Sequence, residues 1–269
     1  MIILLLILFI PAVTLLVAFV YTVAEDNYGL LFNKPFYVHF YPSIKTLSTD
    51  QSYVLNKQFH YYKTLPDNKK RYFEHRVATF INKYEFIGQE KFIITDEVKV
   101  LIASTSVMLT FGMRNYLYSN IDKIIVYPEE YYSTIGETYH KGEFNPRMRA
   151  IVFSWQDFKE GFGITNDNLN LGIHEFAHVL HFHGLKSEDA SAIIFSRMYN
   201  QIQRDVNDPV NREKLINSEY FRIYAYTNQF EFLAVILEHF FETPQEFKAQ
   251  FPEIYLKVKE MINYNENHF

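Results

Sequence analysis

The first 24 residues, MIILLLILFIPAVTLLVAFVYTVA, contain no charged side chain. About 20 apolar residues cross the hydrocarbon core of a bilayer, and a chain there must satisfy its backbone amides internally. Residues 1–24 therefore read as one transmembrane helix, a single-pass, uncleaved amino-terminal anchor. Pro11 is compatible with this, because membrane helices tolerate proline better than soluble ones. A cleaved signal peptide is the rival reading, but it calls for a basic leader and a shorter apolar block. Only Lys34 and Lys45 come soon after, which leaves the side of the membrane unassigned.

The chain beyond the anchor has the means to fold. The 269 residues are 48% apolar and include 21 tyrosines and 26 phenylalanines, enough large rings for a sizeable core. The net charge of −5 is spread without long runs of one sign, so no basic face offers itself to nucleic acid. The absence of cysteine excludes disulfides, thiolate metal clusters and cysteine nucleophiles.

Residues 25–65 show no sustained period and read as a connector lying partly on the surface. A helix start at Pro66 and Asp67 precedes Phe73, Val77, Phe80 and Ile81, predicting a helix over 67–84. A second helix begins after Thr95, with Asp96 and Glu97 in its first turn, and ends near Gly112. KIIVY at 123–127 and AIVFSW at 150–155 read as strands. A helix from Asn166 or Asp167 carries Ile173, Phe176, Ala177 and Leu180 inward and stops at Gly184, read as a left-handed cap. Further helices are expected over 187–205, 228–241 and 244–262. The folded part thus reads as one domain over 66–269, α+β in class and mainly helical with a small sheet.

The helix at 166–184 contains His174, Glu175, Phe176, Ala177 and His178, the pattern HExxH. On a helix the two histidines lie one turn apart, so both imidazoles reach one ion, and Glu175 lies to the side, within reach of a water on that ion. His181 falls at nearly the same angle as His174 but about 10 Å along the axis, too far for a third ligand. His181 and His183 read as ordinary helix-end residues and His140 as a solvated loop residue. A catalytic zinc needs a third protein ligand and one open position. In YAYTNQFEFLAVILEHFFETP, Glu231 is surrounded by apolar neighbours and needs a cation, while Glu238 lies on the same face and could orient a histidine from behind. Spacing alone equally allows both glutamates to be a solvated stripe.

TDEVKVLIASTSVMLTFG, IIVYPEEY, GETYHKGEF, IVFSWQDF, LGIHEFAHVL and YAYTNQFEFLAVILEHFFETPQEF through FPEIY together resemble the Mlc titration factor A family of zinc-dependent peptidases. Its core is similar to that of gluzincins, and the resemblance covers roughly residues 70–260. It implies a zincin-like fold, one zinc ion per chain held by His174, His178 and Glu231, and Glu175 as general base. It also implies that Tyr224, rather than Tyr226, assists catalysis. The expected function is a membrane-anchored zinc metallopeptidase acting on a peptide or protein. Ile151, Val152, Phe153, Ser154 and Trp155 are the expected edge strand for extended substrate. The alternatives are a membrane-tethered partner that captures a protein regulator or peptide around a non-catalytic zinc, and a metal-free protein in which HEFAH is accidental.

Overall fold

The computed structural model describes residues 2–133, 138–164, 166–184, 187 and 189–264, with the side chains of residues 2–8 left aside. The expected domain end at residue 269 lies outside the described residues. Helix α1 (Ile2–Phe32) contains Pro11 and continues eight residues past the end expected at Ala24. It continues because Glu25, the first charged residue, is accepted by the folded body: its carboxylate pairs with Arg114, and the residue is buried. The helix is long and apolar enough to cross a bilayer by length and composition.

The segment expected to be a connector forms two helices, α2 (Thr49–Gln58) and α3 (His60–Thr64), which bury Leu55, Phe59, Tyr61 and Tyr62. They are too short for a helical period to stand out, and the first starts on a capping box between Ser48 and Gln51. Helix α4 (Asp67–Lys83) keeps to the predicted range. Helix α5 (Asp96–Thr110) starts where Thr95 accepts from the Val98 amide. Arg76 of α4 is fully buried and donates to the carbonyls of Thr110, Phe111 and Met113, satisfying acceptors that the end of α5 leaves open.

The strands are β1 (Glu85–Gly88), β2 (Lys123–Tyr127), β3 (Tyr131–Ser133), β4 (Thr138–His140), β5 (Gly142–Asn145) and β6 (Ala150–Ser154). β3 and β4 make a separate hairpin, while the main sheet has the order β1-β2-β6-β5, parallel except for β5. Ile151, Val152, Phe153 and Ser154 are therefore not an edge: β6 pairs with β2 on one side and β5 on the other, and every residue in it is buried. A continuous apolar run marks a strand covered on both faces. Trp155 is not in a strand at all but opens helix α6 (Trp155–Gly163), where Ser154 caps the amide of Asp157. Among the described residues the free edge beside the helices is β5.

Helix α7 (Leu171–Gly184) lies beneath β5 and β6 and packs against α5 and α6. It begins later than expected because Asn168, at φ 57°, turns the chain through the left-handed region first. Asn170 then accepts from the Ile173 amide at 3.0 Å. Gly184 is not a left-handed cap, since no described glycine has positive φ. It is a packing glycine: a Cβ there would lie 2.7 Å from the Phe195 ring. Helices α8 (Ala190–Asn207) and α9 (Pro209–Asn217) lead to a 3₁₀ turn at Ile223–Tyr226 and to α10 (Gln229–Glu242), which packs against α7. The last expected helix is two, α11 (Pro244–Gln250) and α12 (Pro252–Met261), because Pro252 cannot continue the first.

Candidate metal centre

Two helices facing each other build the centre. From α7 come His174 and His178, their rings 4.9 Å apart and nearly perpendicular. From the first turn of α10 comes Glu231, at a helix start fixed by Asn228, whose side chain accepts from the amides of Phe230 and Glu231. One ligand atom from each of these three residues lies within 4.8 Å of the others. His174 Nε2 is 3.0 Å from Glu231 Oε2, and His178 Nε2 is 3.7 Å from Glu231 Oε1. Ligand atoms of a tetrahedral zinc lie about 3.3 Å apart, inside that range.

The protonation pattern asks for a cation at this point. His174 Nδ1 faces Glu238 Oε1 at 2.6 Å, so Nδ1 carries the proton and Nε2 turns a lone pair toward Glu231. Glu231 Oε2 is buried and has no aligned hydrogen bond, although Nε2 is close. Two acceptors that close are unfavourable unless a proton or metal ion stands between them. Without a metal the proton takes that place: burial disfavours charge on His174, but Glu231 and Glu238 overcome it and push its pKa up to about 10. His178 behaves oppositely, held down to about 4 by burial and by the charge on His174. Two neutral imidazole nitrogens and a carboxylate are a donor set that suits zinc.

Glu175 points to the side of the pair and is 6% exposed. Burial, reinforced by Glu231 and opposed by His174, pushes its carboxyl up to about 7. The amide of Phe144 on β5 bonds to it. Gly142 on the same strand passes so close that a Cβ there would lie 2.9 Å from Glu175 Cγ. Tyr224 lies 6.0 Å from the His174 ring and hydrogen-bonds Glu231, and burial and the Glu231 charge push its hydroxyl up to about 12. Tyr226 faces away and donates to the Leu215 carbonyl at 3.0 Å.

Arg222 is a residue that sequence reasoning did not find. It grips both oxygens of the buried Glu238, at 2.5 and 2.9 Å, and donates to the Asn168 carbonyl. Its only sequence signal is its place two residues before Tyr224. A cleft of about 360 Å³ opens beside the centre, lined by Gly142, His174, Glu175, Arg222 and Glu238 among others. The other histidines stand apart. His181 and His183 are 2% and 5% exposed, so they are core residues rather than charged helix-end ones, and burial lowers the pKa of both. His140 is half-buried on β4 instead of solvated in a loop.

The sequence profile of the glucose-regulated metallo-peptidase M90 family matches residues 43–262. The chain belongs to the M90 family. The matched range takes in α2 and α3 as well as the centre, and among the described helices it leaves out α1. Curated relatives are distant. An uncharacterised protein of Synechocystis sp., slr2042, is 25% identical over 75% of this chain and 79% of its own length. Mlc titration factor A of Pectobacterium atrosepticum is 24% identical over 65% of this chain and 72% of its own length. The protein of that name from Yersinia pestis is 21% identical over 66% and 71%. M90 membership makes this a chain of metallopeptidase type, and His174, His178 and Glu231 form a group able to hold its metal.

Proposed function

We propose that this M90 chain is a membrane-anchored zinc peptidase with a zincin-like domain. Residues 1–24 would hold it in the bilayer, and the body from residue 66 onward, with α2 and α3 packed on it, would carry the reaction. The observation that carries this reading is the convergence of His174, His178 and Glu231 beside the buried carboxyl of Glu175.

Zinc held by those three residues would supply Lewis-acid polarisation of the peptide carbonyl and acidify a water toward neutral pH. Glu175, raised to about 7, suits a group that takes a proton from the attacking water and returns it to the leaving amine. Tyr224, a hydroxyl that stays protonated at neutral pH, would leave Glu231 and donate to the oxyanion. Glu238, held by Arg222, fixes the tautomer and orientation of His174. Extended substrate would pair with β5, the free edge running past Glu175, by main-chain hydrogen bonds.

The Glu175→Gln variant tests the reading. Zinc content should stay near one equivalent while hydrolysis of a peptide library disappears. The name of the relatives speaks of titrating another factor, and a chain that only captures a regulator would bind its target equally well with or without this substitution. Less than about half an equivalent of zinc in the unmutated chain under metal-replete conditions would count against the whole proposal.

A further inference from the structure

Helix α1 does not leave the body as a free stalk. It is clamped at two levels. Arg114 holds both oxygens of Glu25, stacks 4.1 Å from the Tyr37 ring centre, and has its own amide bound to Ser191. Further along, Arg197 donates to the Gly29 carbonyl at 2.6 Å and to the side chain of Asn33, which in turn donates to Glu260 at 2.7 Å. Ser191 and Arg197 both belong to α8, which therefore runs beside α1 in the same direction. With one helix fixed at Glu25 and again at Asn33, the body cannot swivel about it.

The surface at the level of the first clamp is aromatic. Residues after Asn33 fold back along α1 until the Phe36 ring lies 4.9 Å from Tyr28 and 5.9 Å from Tyr21. Phe36, Tyr37 and Phe40 are 41%, 44% and 71% exposed, and Tyr21 is exposed beside them. Lys34, also exposed, starts the same loop. Upstream of Glu25, α1 leaves the body, and its apolar side chains from Phe9 to Val23 project outward. The rings thus stand where a bilayer around α1 would end, and aromatic side chains with a nearby lysine are the composition that the headgroup layer takes.

We infer that Phe36, Tyr37 and Phe40, together with Tyr21, are a membrane-interface contact that seats the body against phospholipid headgroups in one orientation. The Glu25–Arg114 pair is its lock. The inference rests on α1 being an anchor, and its test separates the two. The chain has no cysteine, so each introduced cysteine carries one nitroxide label. Full-length Leu15→Cys, Phe40→Cys and Ile93→Cys chains are reconstituted in phosphatidylcholine–phosphatidylglycerol vesicles, and collision with oxygen is compared with collision with a water-soluble nickel chelate. Ile93 is 77% exposed and precedes the start of α5, the opposite end of that helix from Arg114, so it reports water.

The label at 15 is expected in hydrocarbon, and the label at 40 at headgroup depth with nickel access several-fold below that at 93. Adding Arg114→Gln should raise access at 40. If 15 is in hydrocarbon while 40 matches 93, the interface contact is wrong and the anchor stands. If 15 is itself in water, both are wrong. Unchanged access at 40 in the Arg114→Gln chain would remove the lock.

Discussion

Glu238 Oε1 lies 2.6 Å from His174 Nδ1 while its other oxygen lies 2.5 Å from Arg222 Nη1, so one buried carboxylate links a metal-ligand candidate to an arginine. Such a partner orients the imidazole and raises its basicity. Replacing Glu238 by Gln is expected to lower zinc affinity about 10- to 100-fold, the usual loss for a partner behind a ligating histidine. Competition against a chromophoric chelator measures it, and unaltered affinity would show that Glu238 is only structural.

Arg222 is expected to matter for stability before it matters for metal. Glu238 is 1% exposed, and Arg222→Met leaves its charge with His174 as its one remaining side-chain partner among the described residues, so the loss should fall below the about 3–5 kcal/mol of a buried charge left with no partner. The double variant Arg222→Met, Glu238→Gln removes the half-compensated charge and should recover part of the loss. Urea unfolding of the metal-free chains gives both numbers, and a double variant no more stable than the single one would contradict the pairing.

Sequence carries the parts of this centre that repeat locally. HExxH announces itself because i and i+4 share a helix face, the helices at Asp96 and Gln229 through caps and apolar period, and the helix at Asp67 through the proline before it and its apolar period. Sequence does not carry whatever depends on a neighbour far along the chain. Spacing leaves Glu231 even between ligand and solvated stripe; the family resemblance points to it as a ligand, and the packing of α10 against α7 brings it beside His174 and His178. Arg222 has no local pattern, and β6 reads as an edge because nothing in AIVFSW says that Gly142–Asn145 will pair beside it. His181 and His183 sit at a helix end, where sequence suggests solvent, yet α8 and α10 bring Tyr199 and Phe230 within 5 Å of the His181 ring centre.

The close pass of Gly142 over Glu175 sets a narrow condition on β5. In Gly142→Ala the new methyl would meet Glu175 Cγ at 2.9 Å and Leu171 Cδ1 at 2.8 Å. Either the strand or the glutamate has to move. Peptide hydrolysis should fall on the order of 100-fold, the scale of a misplaced catalytic group, with zinc content unchanged. Full activity would mean that Glu175 does not need the position in which β5 confines it.

Part of the protein's acid sensitivity should come from histidines that the centre does not use. His239 is packed among Tyr220, Phe221 and Phe247, with ring centres 4.7 to 6.3 Å away, and its Nδ1 has no hydrogen-bond partner among the described residues. Burial holds it down to about 4. The unfolded chain therefore takes up this proton first as pH falls. The stability linked to neutral His239 is complete above about pH 6.5 and is lost between there and pH 4, on the order of 2 kcal/mol by pH 5. His178 and His181 at about 4, and His75 and His183, are shifted the same way, whereas His174, raised to about 10, and Glu175 and Glu242, raised to about 7 mainly by burial, oppose them over part of the range. Phenylalanine suits the aromatic pocket around residue 239 and cannot be protonated. His239→Phe should accordingly narrow the gap in urea stability between pH 7.5 and pH 5.0, measured in chelator so that zinc release does not contribute. An equal gap in both chains would place the acid sensitivity elsewhere.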